Sequence, residues 1–289
     1  MKLALGTVQF GLDYGVANIG GRVVEDEARA ILATAAHNGV NTLDTAIAYG
    51  DSERVLGGLG VGHWHVVTKL PNVPEGCADV VSWVERQIQQ SMTRLNVSQL
   101  YGVLLHRPGQ LLGNKGPELY RALQIIKESG LVQKIGLSVY EPSELDLLFD
   151  RIELDLVQAP LNILDRRLVD SGWAKKLKNA GVEVHTRSAF LQGLLLMPAS
   201  ERPGKFNQWS DIWSVWDKWL VDHTHSPLQA CLQYLNGVLE VDKVVVGVDS
   251  VAQLNQIIGA SGGVLADLPK WNSFQDLRVL NPSTWTHLN

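Results

Sequence analysis

The sequence predicts a closed (β/α)8 barrel, the TIM-barrel class of α/β fold. Three observations carry this. Eight short β-rich runs are spread along the 289 residues. Segments of helical periodicity lie between them. Seven of the eight runs carry a polar side chain at or next to their last residue, although the runs behind those ends are largely apolar.

The first run is "KLALGT" (2–7), followed by the amphipathic segment "DEARAILATAAHNG" (26–39). That segment has apolar residues at i, i+3, i+4 and i+7 and stops at Gly39, a residue suited to the left-handed turn after a helix. The runs "NTLDT" (41–45) and "WHVVTK" (64–69) come next, then a helix over 79–96. "LYGVLLH" (100–106) leads into a helix over 117–130, and "QKIGLS" (133–138) leads into "PSELDLLFD". There Ser143, with Asp146 three residues on, suggests an acidic capping box. "DLVQA" (155–159), "VEVHTRS" (182–188) and "KVVVGV" (243–248) complete the set. Near-continuous apolar runs fit strands buried on both faces of a parallel sheet. An open doubly wound sheet is the rival, but it calls for a GxGxxG turn after its first strand, and "LGTVQFGLDYG" has the wrong spacing. The longest connection, about 189–226, holds Trp209, Trp213, Trp216 and Trp219 at helical spacing, a helix expected to pack onto the barrel. No Pro/Gly/Ser-rich linker divides the chain, so residues 1–289 read as one domain.

Composition narrows the function. The formal net charge is -5 and no basic stripe appears, which argues against nucleic acid as a partner. No apolar run reaches the roughly 18 residues of a membrane span. "MKLALGTVQFGL" makes a poor signal peptide, and Cys77 and Cys231 lie far apart, so a cytoplasmic location without a disulfide framework is expected. The pairs "HWH" (63–65) and "HTH" (223–225) lack a third ligand or a nearby acid, so no metal is expected.

In such a barrel, chemistry sits at the C-terminal ends of the strands. Those ends read Thr7, Asp44, Lys69, His106, Ser138, Gln158, Ser188 and Gly247. Burying so many polar groups at one rim without partners would be costly, so the rim reads as a site. At these positions the sequence resembles the aldo-keto reductase family. The matching stretches are "DTAxxYGxSExxLG" at 44–57, "VVTKL" at 66–70, "LLHRP" at 104–108, "IGLS" at 135–138, "VQAPLN" at 157–162 and "RSAFLQGLL" at 187–195. The opening "LGTVQFGLDYGVAN" and "RSAFLQGLLL" resemble a bacterial branch found with sugar-modifying pathways, which hints at a sugar-derived substrate.

The resemblance implies NAD(P)H-dependent reduction of an aldehyde or ketone, with Asp44, Tyr49, Lys69 and His106 as the catalytic tetrad. Elementary chemistry agrees. A free tyrosine, with a pKa of about 10, is a weak acid at neutral pH, and a neighbouring cation stabilises its phenolate. Lys69 would be that cation, Asp44 would hold it, and His106 would orient the carbonyl. The resemblance further implies that Ser138 and Gln158 bind the nicotinamide carboxamide, with Val139 standing where asparagine is usual. Arg187 falls where many members stack an aromatic ring on the nicotinamide. Ser188, Phe190, Gln192 and Gly193 match the loop crossing the pyrophosphate, and Gly6 and Thr7 the first strand end. Most members carry a β-hairpin before the first strand. Here the first run begins at Lys2, so another feature is expected to cover that end.

The family generally uses NADPH and holds its 2′-phosphate with basic residues after the final strand. Here "GVDSVAQLNQII" (247–258) has none, and Asp249 and Gln253 stand where basic residues are frequent. A phosphate monoester carries nearly two negative charges, which Asp249 would repel. Gly247, Asp249, Ser250 and Gln253 are therefore expected to bind NADPH with weak discrimination against NADH, with Ser250 and the following helix N-terminus, or Lys205 from the long loop, assisting. Two other functions are consistent with the scaffold: a Lys69 Schiff-base aldolase, and a nucleotide-binding regulatory protein with little turnover.

Overall fold

The computed structural model describes residues 2–18, 20–271 and 276–287. Its frame is a closed barrel in which each of eight parallel strands pairs with the next and the eighth returns to the first. The strands are β1 (Leu3–Gly6), β2 (Thr42–Asp44), β3 (His65–Leu70), β4 (Leu100–Leu105), β5 (Val132–Ser138), β6 (Leu156–Pro160), β7 (Glu183–Arg187) and β8 (Lys243–Gly247). All eight fall on the predicted runs, with ends shifted by a residue or two. The principal helices in the first half are α1 (Glu25–His37), α2 (Ser52–Leu59), α3 (Val80–Leu95), α4 (Gly116–Glu128) and α5 (Ser143–Leu148). In the second half they are α6 (Arg167–Asp170), α7 (Trp173–Asn179), α8 (Ser210–Asp222), α9 (Pro227–Gly237), α10 (Val251–Ala260) and α11 (Leu277–Leu280). Among the described residues no helix is long and apolar enough to cross a membrane.

Side chains alternate along each strand, so residues two apart share a face. Outward residues such as Leu43, Val66, Val103, Leu137 and Val184 join the large core under the helices. The inward set forms a separate, small apolar waist of Val67, Leu104 and Leu156. The waist is tight: a Cβ on Gly136 would lie 1.7 Å from the Leu156 carbonyl oxygen, so only glycine fits there. Two residues towards the C-terminal end from that waist, Lys69 and Gln158 face a cavity. Two residues the other way lies the barrel floor.

The floor is polar. Glu183 accepts a hydrogen bond from the Tyr101 hydroxyl at 2.7 Å and bonds Lys134 and, at 2.7 Å, His185 Nε2. His65 stacks on Tyr101 with ring centroids 4.4 Å apart, and Lys243 Nζ donates to Asn41 at 2.8 Å. A plug of paired side chains thus fills the end where the sequence called for some covering. Burial alone would raise the Glu183 carboxyl, but the hydrogen bonds from His185, Lys134 and Tyr101 outweigh it and hold it at about 2.

Two local expectations are corrected or refined. Ser143 does not cap α5. Pro142 occupies that position, and Glu144 instead accepts from the amides of Tyr140 and Glu141 at 2.6 and 2.9 Å. Asp146 is turned away from the helix start and accepts from Trp173 Nε1 at 2.9 Å. The reciprocal box occurs at α9, between Ser226 and Gln229. The tryptophans do pack α8 onto the barrel: Trp213, Trp216 and Trp219 are buried on it, and Trp216 donates to the Leu195 carbonyl at 3.1 Å. His223 and His225 both stack on Trp219, with ring centroids 4.4 and 5.6 Å from it. Among the described residues no group of three His, Cys, Asp or Glu is positioned to hold a metal ion.

Glu183 makes the floor acid-sensitive. Its folded pKa, about 2, lies below the ordinary 4.5, so its contribution is complete above that ordinary value and is lost as pH falls towards 2. The Glu183→Gln variant should therefore lose less stability than wild type between about pH 5 and 3. Parallel denaturant midpoints across that range would show it; identical slopes for the two proteins would mean that Glu183 is not held low.

Candidate active site

β2 ends at Asp44 and β3 carries Lys69 near its end, with Asp44 paired to Val67 in register. Lys69 therefore sits two residues nearer the rim, on the same inward face. Its Nζ reaches both Asp44 carboxylate oxygens, at 2.8 and 2.7 Å, the Thr45 carbonyl at 2.9 Å and the Tyr49 hydroxyl at 3.5 Å. Lys69 is 1% exposed. Burial on its own would lower its pKa, but the Asp44 charge, with Tyr49, more than offsets that and the net shift is upward. The ion pair with Asp44 favours the charged amine, which a Schiff-base role for Lys69 would have to deprotonate.

The segment after Asp44 is fixed by a set of buried contacts that accounts for nearly every matched residue in 44–57. Ser52 donates to the Thr7 carbonyl at 2.8 Å and lies 3.0 and 3.1 Å from the hydroxyls of Thr7 and Thr45. Glu53 is 2% exposed and accepts from Thr68 at 2.7 Å, Ser91 at 2.6 Å and Arg94 Nε at 2.7 Å. That ties the start of α2 to the residue before Lys69. The backbone of the Val8–Phe10 turn crosses the Tyr49 loop so closely that a Cβ on Gly11 would lie 1.9 Å from the Tyr49 carbonyl oxygen. Gly50, at φ +56°, has its own Cβ position 2.6 Å from the Gly11 carbonyl. Both positions require glycine, and together they fix the Tyr49 side chain over Lys69.

Tyr49 and His106 meet edge to face, with ring centroids 5.9 Å apart. Burial raises the Tyr49 pKa, and Lys69 opposes this without reversing it. Lys69 pulls the Tyr49 value in the expected direction, and burial is the larger influence. Tyr49 keeps its proton throughout the neutral range, with the cation in place to stabilise the phenolate once the proton leaves. His106 is pushed down to about 4, first by burial and then by the charge of Lys69. It is a neutral imidazole at physiological pH, able to donate through one nitrogen.

These side chains line one wall of a cavity of about 620 Å³. The residues expected at a cofactor also line it, from Gly6, Thr7, Ser138 and Gln158 through Arg187, Ser188, Phe190, Gln192 and Gly193 to Gly247, Asp249 and Gln253. Several are already engaged by the protein. The Thr7 hydroxyl donates to the Asp44 carbonyl at 3.0 Å. Ser250 is outside the cavity lining; its hydroxyl caps α10 by accepting from the Gln253 amide, and its O–H remains a donor. Gln253 Oε1 accepts from the Asp249 amide at 2.8 Å, which leaves its NH2 donors unbonded in the protein. Lys205 also misses the cavity and donates to the Trp285 carbonyl at 3.1 Å.

The lining fits a dinucleotide. Gln158 is fully buried and donates to Asp44 at 2.6 Å, leaving its Oε1 buried with no partner in the protein. An orphan acceptor beside Ser138 suits the NH2 of a carboxamide. The segment after β7 has Ser188, Leu191, Gln192 and Gly193 at φ of 62°, 50°, 53° and 89°. Asn162 anchors it by donating to the Ser188 carbonyl at 3.0 Å. Within it the Leu191 and Gly193 amides donate to the Ser188 and Phe190 carbonyls, both at 2.9 Å, which holds the turn at the cavity.

Several residues at the cavity escaped sequence reading. Gln9 abuts Gly247, where a Cβ would lie 2.4 Å from its Nε2. Tyr14 accepts from Gln192 at 3.1 Å, and Asn18 donates to Asp249 at 3.3 Å, so the loop after β1 bridges the last two rim loops. Asn281, Pro282 and Ser283 reach the cavity from beyond α11. Tyr140 lines it as well, with the Arg187 guanidinium 4.5 Å over its ring and donating to the Val139 carbonyl at 3.1 Å. An aromatic residue two places beyond the end of a barrel strand was the one available signal for Tyr140.

Residues 2–268 match the profile of the Aldo/keto reductase family. The chain belongs to that family of oxidoreductases, whose members typically reduce small carbonyl compounds with NAD(P)H. It is 28% identical to L-galactose dehydrogenase of Arabidopsis thaliana over 278 residues, spanning 89% of this chain and 85% of that one. It is 25% identical to glyoxal reductase of Bacillus subtilis (strain 168) over 180 residues, 59% of this chain and 61% of that one. The fold is shared with glycerol dehydrogenase AKR11B4 of Gluconobacter oxydans at a TM-score of 0.71 and 21% identity, covering 92% of this chain and 88% of that structure.

The neutrality of His106 can be read directly. Its imidazole should titrate by NMR with a midpoint near 4, well below a free histidine. A midpoint between about 6 and 7 would show that neither burial nor Lys69 acts on it as described.

Proposed function

We propose that the protein reduces an aldehyde or ketone to an alcohol with Tyr49 as the proton donor, Lys69 and Asp44 supporting it, and His106 orienting the carbonyl. The observation that carries this reading is the Lys69 ammonium, bonded to both oxygens of Asp44 and 3.5 Å from the Tyr49 hydroxyl at the rim of the barrel. A bound nicotinamide supplies the hydride. Neutral His106 donates a hydrogen bond to the carbonyl oxygen and holds it towards Tyr49. As the carbon receives the hydride, negative charge develops on that oxygen, and Tyr49 gives up its proton to it. The phenolate left behind faces the Lys69 ammonium, which stabilises it without moving. Asp44 keeps the lysine charged and aimed, and Gln158 holds Asp44 from the other side.

The cofactor is bound with Gln158 and Ser138 at the carboxamide, the loop 188–193 at the pyrophosphate, and Asp249 at the adenosine ribose. The names of the similar proteins, which mention galactose and glyoxal, favour a small polar carbonyl and keep a sugar-derived substrate in view.

Removing the Tyr49 hydroxyl tests the chemistry. The Tyr49→Phe variant should lose at least about 100-fold in turnover with aldehydes, while nucleotide affinity stays near normal. Turnover within a few-fold of wild type would exclude Tyr49 as the acid.

Cofactor choice is tested at Asp249. Among the described residues lining the cavity, the only lysine and arginine are Lys69 and Arg187, neither in the segment after β8. Asp249 faces the cavity and accepts from Asn18, with no cation beside it. NADPH, the family habit, should therefore be preferred over NADH by less than about 100-fold in kcat/KM, under roughly 3 kcal/mol. Asp249→Arg should move the ratio towards NADPH. A thousandfold preference in wild type, unmoved by the substitution, would mean that the 2′-phosphate is read elsewhere.

A further inference from the structure

The segment after α11 reaches the cavity at a place that the proton-transfer chemistry does not use. Asn281, Pro282 and Ser283 line the cavity there. They are held from both sides. Val279 and Leu280 before them are buried, and so is Trp285 after them. The Trp285 indole donates to the Val279 carbonyl at 3.2 Å, which closes the segment into a loop. Inside that loop Asn281 Oδ1 accepts from the Ser283 amide at 3.1 Å and from its hydroxyl at 2.7 Å. The three residues form a braced wall whose shape is set before anything binds, so little ordering remains to be done on binding.

The packing of this wall decides where on the rim it stands. Trp285 meets Phe206 edge to face with ring centroids 4.8 Å apart, and its carbonyl accepts from Lys205 Nζ at 3.1 Å. Asp276, at the start of α11, accepts from Trp209 Nε1 at 3.0 Å. Lys205, Phe206 and Trp209 lie in the connection between β7 and α8, and Trp213 of α8 donates to the Phe206 carbonyl at 2.9 Å. The wall therefore stands in the β7–β8 sector. In a ring of eight strands β8 is four places from β4, so that sector lies across the barrel from His106.

The lining around the wall has one chemical character. Leu228, Ile257 and Pro282 supply apolar surface, and Gln253, Gln256 and Asn281 supply side-chain amides. Gln253 and Asn281 each have their carbonyl oxygen engaged and their NH2 unbonded among the described residues. Apolar surface with a few amides at its edge suits a flat heterocyclic base, which has two apolar faces and a polar rim. Asp249, in the same sector, accounts for the hydroxyls of an attached ribose.

We propose that Asn281 and Pro282 belong to the nucleotide site, closing it over the adenosine end of the dinucleotide, and take no part in the carbonyl pocket. Pro282 supplies an apolar face for the base, and the Asn281 amide supplies a donor at its edge. This assigns the segment after α11 a role and rests on the reductase reading above, in which the same cavity holds a nicotinamide dinucleotide.

ADP-ribose, which has the adenosine end and no nicotinamide, is the probe. By calorimetry it should bind wild type, and Pro282→Gly and Asn281→Ala should each weaken it by at least about threefold, the double variant by about tenfold. The KM for an aldehyde at saturating NADPH should stay within about twofold of wild type in all three. Hydrogen exchange on the unaltered protein supplies a readout that needs neither turnover nor a variant: ADP-ribose should slow amide exchange across residues 279–285. An ADP-ribose affinity within about twofold of wild type in a folded double variant overturns the proposal and leaves the reductase reading intact. Should the variants fail to fold, unslowed exchange in wild type overturns it in their place. A raised aldehyde KM with unchanged ADP-ribose affinity overturns it by placing the segment at the substrate. Failure of wild type to bind ADP-ribose overturns the proposal together with the dinucleotide reading beneath it.

Discussion

Lys69 and Asp44 form an ion pair with almost no water around it, and much of the neighbouring architecture serves to make that tolerable. Two buried charges cost several kcal/mol in lost hydration, and they are stable together only when geometry is close and the remaining hydrogen-bonding capacity is met. Here it is met. The Thr45 carbonyl takes a further Lys69 proton, Gln158 donates to Asp44 from β6, and Tyr49 stands at the open side. Losing either partner would strand the other charge in the barrel. The residues that hold Thr45 and the Tyr49 loop in place, Ser52, Glu53, Gly11 and Gly50, are therefore part of the same device although they do no chemistry.

The barrel supplies the pair with its surroundings through strand alternation. Each inward face passes from a polar floor through an apolar waist to a charged rim. Val67, Leu104 and Leu156 separate Glu183 and Lys134 below from Asp44 and Lys69 above. The waist excludes water from the underside of the site, which is why burial, rather than the lysine, sets the direction of the Tyr49 shift. A tyrosine that keeps its proton at rest and faces a fixed cation is suited to donate only when charge appears on the substrate oxygen. His106, made neutral by the same dry surroundings, offers a hydrogen bond and adds no positive charge of its own.

Around the rim the charges are divided by position. The basic side chains among the described lining residues are Lys69, paired with Asp44, and Arg187. The half next to β8 carries Asp249 and no basic side chain among the described lining residues. Asn18 and Tyr14, from the loop after β1, bond to both the β8 and β7 loops, so that the two halves are framed by one strap.

The barrel was legible in the sequence because its signals are local. A strand buried on both faces is largely apolar, and several of the eight runs showed this within five to seven residues. The polar strand ends were legible for a related reason: a charged residue closing an apolar run has few structural explanations, and eight strands place all such ends at one rim. Asp44, Lys69 and His106 could therefore be placed at one rim on paper, and the family resemblance added Tyr49. What tertiary structure alone decided depends on contacts between distant segments. Ser250 and Ser143 show that a residue type suited to two roles is assigned by its neighbours: Ser250 caps a helix, and Ser143 is displaced from its cap by Pro142. The covering of the barrel floor needed Tyr101, Lys134, Glu183 and His185 from three strands. The stack of Arg107, Tyr140 and Arg187 needed β4, β5 and β7 side by side. No periodicity in the chain relates residues 33 and 47 positions apart, and only closing the barrel sets their side chains face to face.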